Sequence, residues 1–77
     1  KGGKAEGIRR MMEKYGIRQD EIMAFGDGEN DIDMIEFAGI GVAMGNAGER
    51  VKHCADYVTD DVDSDGIRKA LEHFGML

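Results

Sequence analysis

Two carboxylates stand four residues apart in the glycine-rich segment 26–31, which reads Gly-Asp-Gly-Glu-Asn-Asp. Asp27 directly follows a short apolar run, and Asp31 falls where a helical pattern begins. Carboxylate oxygens beside the free backbone N–H groups of a helix N-terminus suit a hard cation together with a phosphate. Mg²⁺ suits such a site, because it takes one or two carboxylates and completes its octahedron with water and substrate oxygens. The segment therefore predicts chemistry on a phosphate group.

The elements that must position this segment predict an α/β fold. Apolar runs typical of strands occupy residues 22–25, 40–44 and 57–59. Patterns that favour helix cover residues 8–15, 30–38, 47–54 and 67–74. The first apolar run suits a central strand that is buried on both faces, and Asn30 is a suitable N-cap for the second helix. The alternation predicts part of a doubly wound parallel sheet with flanking helices, and ligands bind at the carboxyl edge of such sheets.

The composition narrows the classes of partner. The chain has 77 residues, 10 Lys+Arg against 16 Asp+Glu, and a formal net charge of −6. This acidic balance argues against nucleic acid or an anionic membrane surface as a partner. The one cysteine, Cys54, cannot form an internal disulfide, and we expect it to be a small buried apolar residue in a reducing cytoplasm. The length allows one domain or a piece of a larger one, and a first residue of Lys1 rather than Met leads us to expect residues upstream.

Segments 25–35 and 38–47 together resemble the fourth motif of haloacid dehalogenase-like (HAD) hydrolases, and within that superfamily they are most similar to the Cof-type phosphatases. Residues 4–8 resemble the segment that carries the third-motif lysine. The family's closing strand and final helix are similar to residues 55–59 and 65–67. The resemblance implies that residues 1–77 are the C-terminal segment of a HAD-like phosphatase core. Such a segment is a single, incomplete Rossmann-like domain that lacks the N-terminal strand and the cap domain.

The resemblance also implies roles for individual residues. Asp27 would be the Mg²⁺ ligand, and Asp31 would assist through a metal-bound water or by orienting the lysine. Asn30 would contact the transferring phosphoryl group of the substrate. Lys4 would neutralise charge on the nucleophilic carboxylate and on the phosphoryl oxygens, and Lys1 is a second candidate whose spacing is three residues too long. In such a site a metal and an ammonium stabilise charge while a carboxylate attacks phosphorus.

The nucleophile is expected outside this chain. The family places it in an Asp-x-Asp motif on a first strand, and no such strand precedes Lys4. The Asp-x-Asp string at 31–33 lies in a predicted helix, and the one at 61–63 follows no adequate strand. We therefore expect the complete protein to hydrolyse small phosphorylated metabolites in the cytoplasm with Mg²⁺, through an aspartyl-phosphate, and the 77-residue chain alone to be inactive. Neither nucleic acid nor membrane is an expected partner, and self-association of the incomplete domain stays open.

Three other interpretations remain at this stage. Residues 61–72 satisfy the EF-hand loop pattern, with carboxylates at its first, third, fifth and twelfth positions. Arg68 at the eighth position counts against a Ca²⁺ loop, and an acidic turn with Ser64 or Asp65 capping the last helix is the simpler interpretation. The phosphorylation domain of P-type ion pumps shares the Gly-Asp-Gly-x-Asn-Asp string, but it usually continues with Ala-Pro, whereas Ile32 follows here. The third interpretation, a non-catalytic interaction module, is supported only by the missing nucleophile.

Overall fold

The computed structural model describes residues 4–77, so Lys1 lies outside the described residues. The regular elements in chain order are α1 (Lys4–Tyr15), β1 (Met23–Gly26), α2 (Ile32–Phe37), β2 (Ile40–Ala43), α3 (Glu49–Cys54), β3 (Tyr57–Val58) and α4 (Gly66–His73). Short 3₁₀ turns cover Gln19–Glu21, Glu29–Asp31 and Val62–Ser64. Helices and strands alternate, which confirms the predicted α/β class. No helix in this part of the chain is long and apolar enough to cross a membrane.

The three strands form one parallel sheet in the order β1-β2-β3. Gly26 at the end of β1 pairs with Ala43 at the end of β2, and Ala43 also pairs with Val58 of β3. Parallel strands all end on the same side, so the segments that follow β1, β2 and β3 meet at one carboxyl edge. This edge is where the sequence predicted a ligand site.

Within residues 4–77 the first strand lies at the side of the sheet, whereas the sequence predicted a central strand buried on both faces. Among residues 4–77 only β2 lies between two strands. Along β1, Ala24 and Gly26 are buried while Met23 and Phe25 are half-buried. The continuous apolar run therefore has one face in the core and the other in an open apolar groove of about 480 Å³. The walls of this groove, which we call the α1–β1 groove, include Ile8, Met11, Met12, Ile17, Met23 and Phe25.

The core forms where α2 and α3 pack against β2. Ile35 of α2, Ala43 of β2 and Val51 of α3 are buried in one apolar cluster. α1 packs against α2 but has no fully buried residue. Its predicted apolar stripe is largely open to solvent, since Met11 is 57% and Tyr15 63% exposed. The stripe faces the α1–β1 groove rather than a filled core.

Two helices end at glycines that the sequence predicted, whereas α2 begins later than predicted. Gly16 after α1 and Gly75 after α4 have φ angles of 67° and 76°, a left-handed conformation that glycine adopts without strain. The prediction that Asn30 caps the second helix was wrong. Residues 29–31 instead form a 3₁₀ turn, and α2 begins at Ile32 with Asp31 in the cap position.

Cys54 ends α3 in a half-buried position. Burial raises the pKa of its thiol, and a hydrogen bond to the Glu36 carboxylate acts in the same direction. The sequence predicted a buried residue here, and the structure leaves Cys54 only half-buried because α3 ends at this position.

Candidate functional site

Asp27 lies where the sequence predicted it, directly after β1 at the carboxyl edge of the sheet. Its side chain is exposed to solvent. The Met44 N–H donates to the Gly26 carbonyl at 3.0 Å, which ties the end of β1 to the residue after β2. Asp27 therefore starts from a fixed backbone position while its carboxylate stays accessible to a ligand.

Asp31 folds back over the end of β1 and is 6% exposed. Its Oδ2 atom accepts hydrogen bonds from the backbone N–H groups of Asp27 at 3.1 Å and Gly28 at 3.2 Å. This close return requires a glycine at position 26, because a Cβ atom there would lie 2.5 Å from the Asp31 Cβ. Residues 26–31 thus form a tight turn that carries the exposed carboxylate of Asp27.

Lys4 reaches this turn from the first residue of α1. Its ammonium donates a hydrogen bond to Oδ1 of Asp31. That hydrogen bond is the main cause that lowers the pKa of Asp31, opposed by burial and reinforced by the N–H groups of Gly28 and Asp27. The same bond raises the pKa of Lys4, with the negative charges of Asp31 and Asp27 acting in the same direction. Lys4 and Asp31 are therefore both held in their charged forms at neutral pH.

Lys4, Asp27 and Asp31 line one open depression of about 290 Å³. We call it the site depression. Its apolar wall consists of Phe25, Met44, Val62 and Ile67. Asn30 is exposed and is not among the residues that line the depression. The structure thus brings three of the four predicted site residues to one place and leaves the fourth outside it.

The donor set at the depression fits a hard divalent cation. Within residues 4–77, Oδ1 of Asp27 accepts no hydrogen bond, whereas both carboxylate oxygens of Asp31 do. Carboxylate oxygens with room for water are the ligands that Mg²⁺ takes in proteins. Residues 4–77 contain no group of three or more His, Cys, Asp or Glu side chains that could hold a metal by themselves. Asp27 is accordingly the residue best placed to contact a cation, with the remaining positions left to water and substrate.

A further side chain reaches the site from the segment after β2. Asn46 donates from Nδ2 to Oδ2 of Asp27 at 3.1 Å, across 19 residues of sequence. The sequence alone indicates no role for Asn46. The register that pairs Gly26 with Ala43 places the segments after β1 and β2 side by side, and residue type does not reveal that register.

The EF-hand interpretation is wrong in the structure. Arg68 donates to the Asp65 carboxylate at 2.8 Å and to the Glu72 carboxylate at 2.9 Å, so two of the four would-be ligands are paired with a cation of the chain itself. α4 also begins at Gly66, the sixth position of the pattern, where a Ca²⁺ loop needs a sharp turn instead of helix. Asp61 uses its carboxylate to accept the N–H of Ser64 in the turn before α4. The acidic stretch is a structural turn.

Comparison with known proteins gives the same family as the motif. A family model described as haloacid dehalogenase-like hydrolase matches residues 1–71. A Bacillus subtilis 5-amino-6-(5-phospho-D-ribitylamino)uracil phosphatase is 49% identical over 92% of this chain and 28% of its own length. A Geobacillus stearothermophilus protein named for its place in the pdhA 5′ region is 54% identical over 99% of this chain and 80% of its own length. The chain thus spans most of one relative but under a third of the other.

The solved structures agree with this assignment. A crystal structure from Geobacillus kaustophilus matches with a TM-score of 0.97 at 55% identity, covering 100% of this chain and 30% of the other. A structure of a Bacteroides thetaiotaomicron protein, studied among phosphatases of the HAD enzyme superfamily, matches with a TM-score of 0.94 at 55% identity over 96% of this chain and 28% of its own. These matches do not favour the ion-pump or calcium-binding interpretations.

Proposed function

Because the chain belongs to the haloacid dehalogenase-like hydrolase family, we propose that it is the C-terminal segment of the core domain of a Mg²⁺-dependent, Cof-type phosphatase that hydrolyses small phosphate esters. The observation that carries the proposal is the meeting of Lys4, Asp27 and Asp31 at one sheet edge. An ammonium and a cation-binding carboxylate on the same depression suit stabilisation of charge on a transferring phosphoryl group.

Each residue has a distinct part in this proposal. Asp27 would hold the cation, which supplies positive charge to the phosphoryl oxygens when bound. Asp31 would act by orienting Lys4 and closing the turn, because both of its oxygens already accept hydrogen bonds. Lys4 would stabilise negative charge on the attacking carboxylate and on the phosphoryl group. Asn30, which is exposed in the same 3₁₀ turn as Asp31, would contact the phosphoryl group of a bound substrate.

The reaction would pass through an aspartyl-phosphate. An aspartate from outside this chain would attack phosphorus while the second aspartate of the same Asp-x-Asp motif donates a proton to the leaving alcohol. The second aspartate would then take a proton from the water that hydrolyses the acyl phosphate, which releases inorganic phosphate and both carboxyl groups. Lys4 would assist both steps, since each builds negative charge on the oxygens around phosphorus. The 77 residues would supply the charge-stabilising half of the active site.

The open side of β1 supports a place for the remainder of the core domain. Within residues 4–77, β1 is paired only with β2, and the apolar α1–β1 groove lies beside it. A further parallel strand on this side would end next to Asp27 and Lys4, where an attacking carboxylate is needed. Side chains of that strand on the same face of the sheet would pack beside Met23 and Phe25.

The partners in the proposal are chemical classes. The substrate would be a small phosphorylated metabolite in the cytoplasm. The net charge of −6 disfavours nucleic acid and anionic membranes. Until the remainder of the core covers it, the α1–β1 groove would favour self-association of the isolated chain.

Release of inorganic phosphate tests the proposal. The complete protein that carries this chain should hydrolyse members of a panel of small phosphate monoesters with Mg²⁺ and lose that activity with EDTA. The 77-residue chain alone should release no phosphate under the same conditions. Metal-dependent hydrolysis by the short chain would overturn the placement of the nucleophile, and a complete protein inactive on every ester would overturn the phosphatase assignment.

A further inference from the structure

Asn46 contacts Asp27, the residue best placed to contact a cation at the site depression. Its amide donates to Oδ2 of Asp27 at 3.1 Å, while Oδ1 accepts no hydrogen bond from residues 4–77. An amide carries no charge, so it can hold one oxygen of a carboxylate without repelling a cation at the other. A lysine or arginine in its place would add a competing positive charge.

The backbone around Asn46 is fixed next to the base of Asp27. The Ala47 N–H donates to the Met44 carbonyl at 2.9 Å, which closes a turn with Asn46 inside it. The Met44 N–H in turn donates to the carbonyl of Gly26, the residue directly before Asp27. Ala47 is buried in the core cluster and anchors the far end of the turn. The two backbones that carry the contact are therefore linked by hydrogen bonds.

Close packing at Gly45 also holds the middle of the turn in place. A Cβ atom at position 45 would lie 2.8 Å from the backbone N of Asp61 and 3.0 Å from the carbonyl oxygen of Thr59. Gly45 thus allows the turn to pack directly against the segment after β3. With its two ends bonded and its middle packed, the turn has little freedom to move the Asn46 amide away from Asp27.

We propose that Asn46 is a positioning residue that orients the Asp27 carboxylate for cation binding. This inference rests on the proposed function, because it requires a divalent cation at Asp27. An exposed aspartate side chain otherwise samples several rotamers, and a cation must select the one that presents its free oxygen. Hydrogen-bond partners of ligating carboxylates typically contribute about 10- to 100-fold to metal affinity.

The test is the affinity of the complete protein for Mg²⁺ by calorimetry, with Mn²⁺ binding by electron paramagnetic resonance as a second readout. Asn46→Ala should weaken binding about tenfold. Asn46→Gln, which keeps an amide on a longer side chain, should restore part of the affinity. At saturating Mg²⁺ the Asn46→Ala variant should recover most of its kcat, because the residue acts through Asp27 rather than on the substrate.

Gln19→Ala is the matched control. Gln19 is also an exposed side-chain amide, and it donates one hydrogen bond, to the Phe37 carbonyl, away from the site. Gln19→Ala should leave Mg²⁺ affinity unchanged. The two alanine variants should change the melting temperature of the metal-free protein by similar amounts. Unchanged Mg²⁺ affinity in Asn46→Ala, or an equal loss in Gln19→Ala, would overturn the positioning role while leaving the phosphatase proposal intact. A wild-type protein that binds no divalent cation would overturn both.

Discussion

The ammonium of Lys4 and the carboxylate of Asp31 form an ion pair across 27 residues of sequence. The pair joins the first residue of α1 to the turn that follows β1. Asp31 is buried while the Lys4 side chain is half-exposed, so one partner is fixed by the fold and the other extends towards the site depression. The contact fixes where a positive charge stands relative to Asp27.

Removal of the Asp27 carboxylate should abolish most function. In the complete protein, Asp27→Asn should weaken Mg²⁺ binding and lower kcat/KM by about 100-fold or more, because a neutral amide is a poor ligand for a hard cation. Calorimetry and phosphate release measure the two effects. Asp20→Asn, an equal change at an exposed position in the turn before β1, should match the wild-type protein. Unaltered kinetics in Asp27→Asn would remove Asp27 from the site.

Loss of the Lys4 charge should affect both catalysis and a neighbouring pKa. Lys4→Gln should lower kcat by about 100-fold, the usual effect of removing one charge-stabilising donor. It should also raise the pKa of Asp31 towards its ordinary value, since the Lys4 hydrogen bond is the main cause of the lowering. Carboxyl carbon NMR follows this titration. Lys14→Gln, at the other end of α1, should change neither quantity, and a fully active Lys4→Gln protein would contradict the assignment.

The lowered pKa of Asp31 predicts a pH-dependent contribution to stability. A carboxyl group with a folded pKa below its ordinary value of about 3.9 stabilises the fold above that value and loses its contribution as the pH falls through the folded pKa. Asp31→Asn should therefore cost about 2 kcal/mol at pH 7 and progressively less below about pH 4. Urea unfolding from pH 2 to pH 7 measures the gap, and a gap that stays constant with pH would count against the ionic role.

The close return of Asp31 over β1 predicts that position 26 tolerates only glycine. Gly26→Ala places a methyl group 2.5 Å from the Asp31 Cβ and should destabilise the fold by about 1–3 kcal/mol. The displaced carboxylate should also lose its pairing with Lys4. Gly7→Ala is the control, because a Cβ there meets no atom within 4 Å and alanine favours helix by up to about 1 kcal/mol. Equal stabilities of the two variants would show that Asp31 can move without penalty.

The α1–β1 groove predicts association of the isolated 77-residue chain. Its average mass in sedimentation equilibrium should rise with concentration, because the apolar groove and the unpaired side of β1 favour contact with another copy. A Met11→Lys, Ile17→Lys double variant should shift the association several-fold towards monomer. Met76→Lys should not shift the association, because Met76 lies outside the groove and is 52% exposed. A wild-type chain that stays monomeric throughout would contradict the prediction.

The periodicity of the sequence predicted most of the fold, because its short-range signals are strong. Apolar runs gave the three strands, and Gly16 and Gly75 gave two helix ends. One rule, that ligands bind where parallel strands end, was enough to predict that Asp27 faces a ligand site. The apolar stripe at Met11 and Tyr15 correctly indicated a helix but not its burial, because burial depends on what packs against that face.

The parts of the site that the sequence did not predict are contacts between distant segments. Asn30 matched the preference for a helix cap, but the backbone forms a 3₁₀ turn there because Asp31 folds back to accept two N–H groups. The hydrogen bond from Asn46 to Asp27 depends on the register of β1 and β2. Residue type alone carries no information about such a register.

The setting of Cys54 has a practical consequence at the bench. Cys54 is half-buried and the pKa of its thiol is raised, so less of it ionises at neutral pH than of a free cysteine, and the ionised form is the one that attacks alkylating reagents and oxidants. Maleimide dyes should therefore attach to the folded protein more slowly than to the denatured chain. A labelling cysteine introduced at a fully exposed position should react ahead of Cys54.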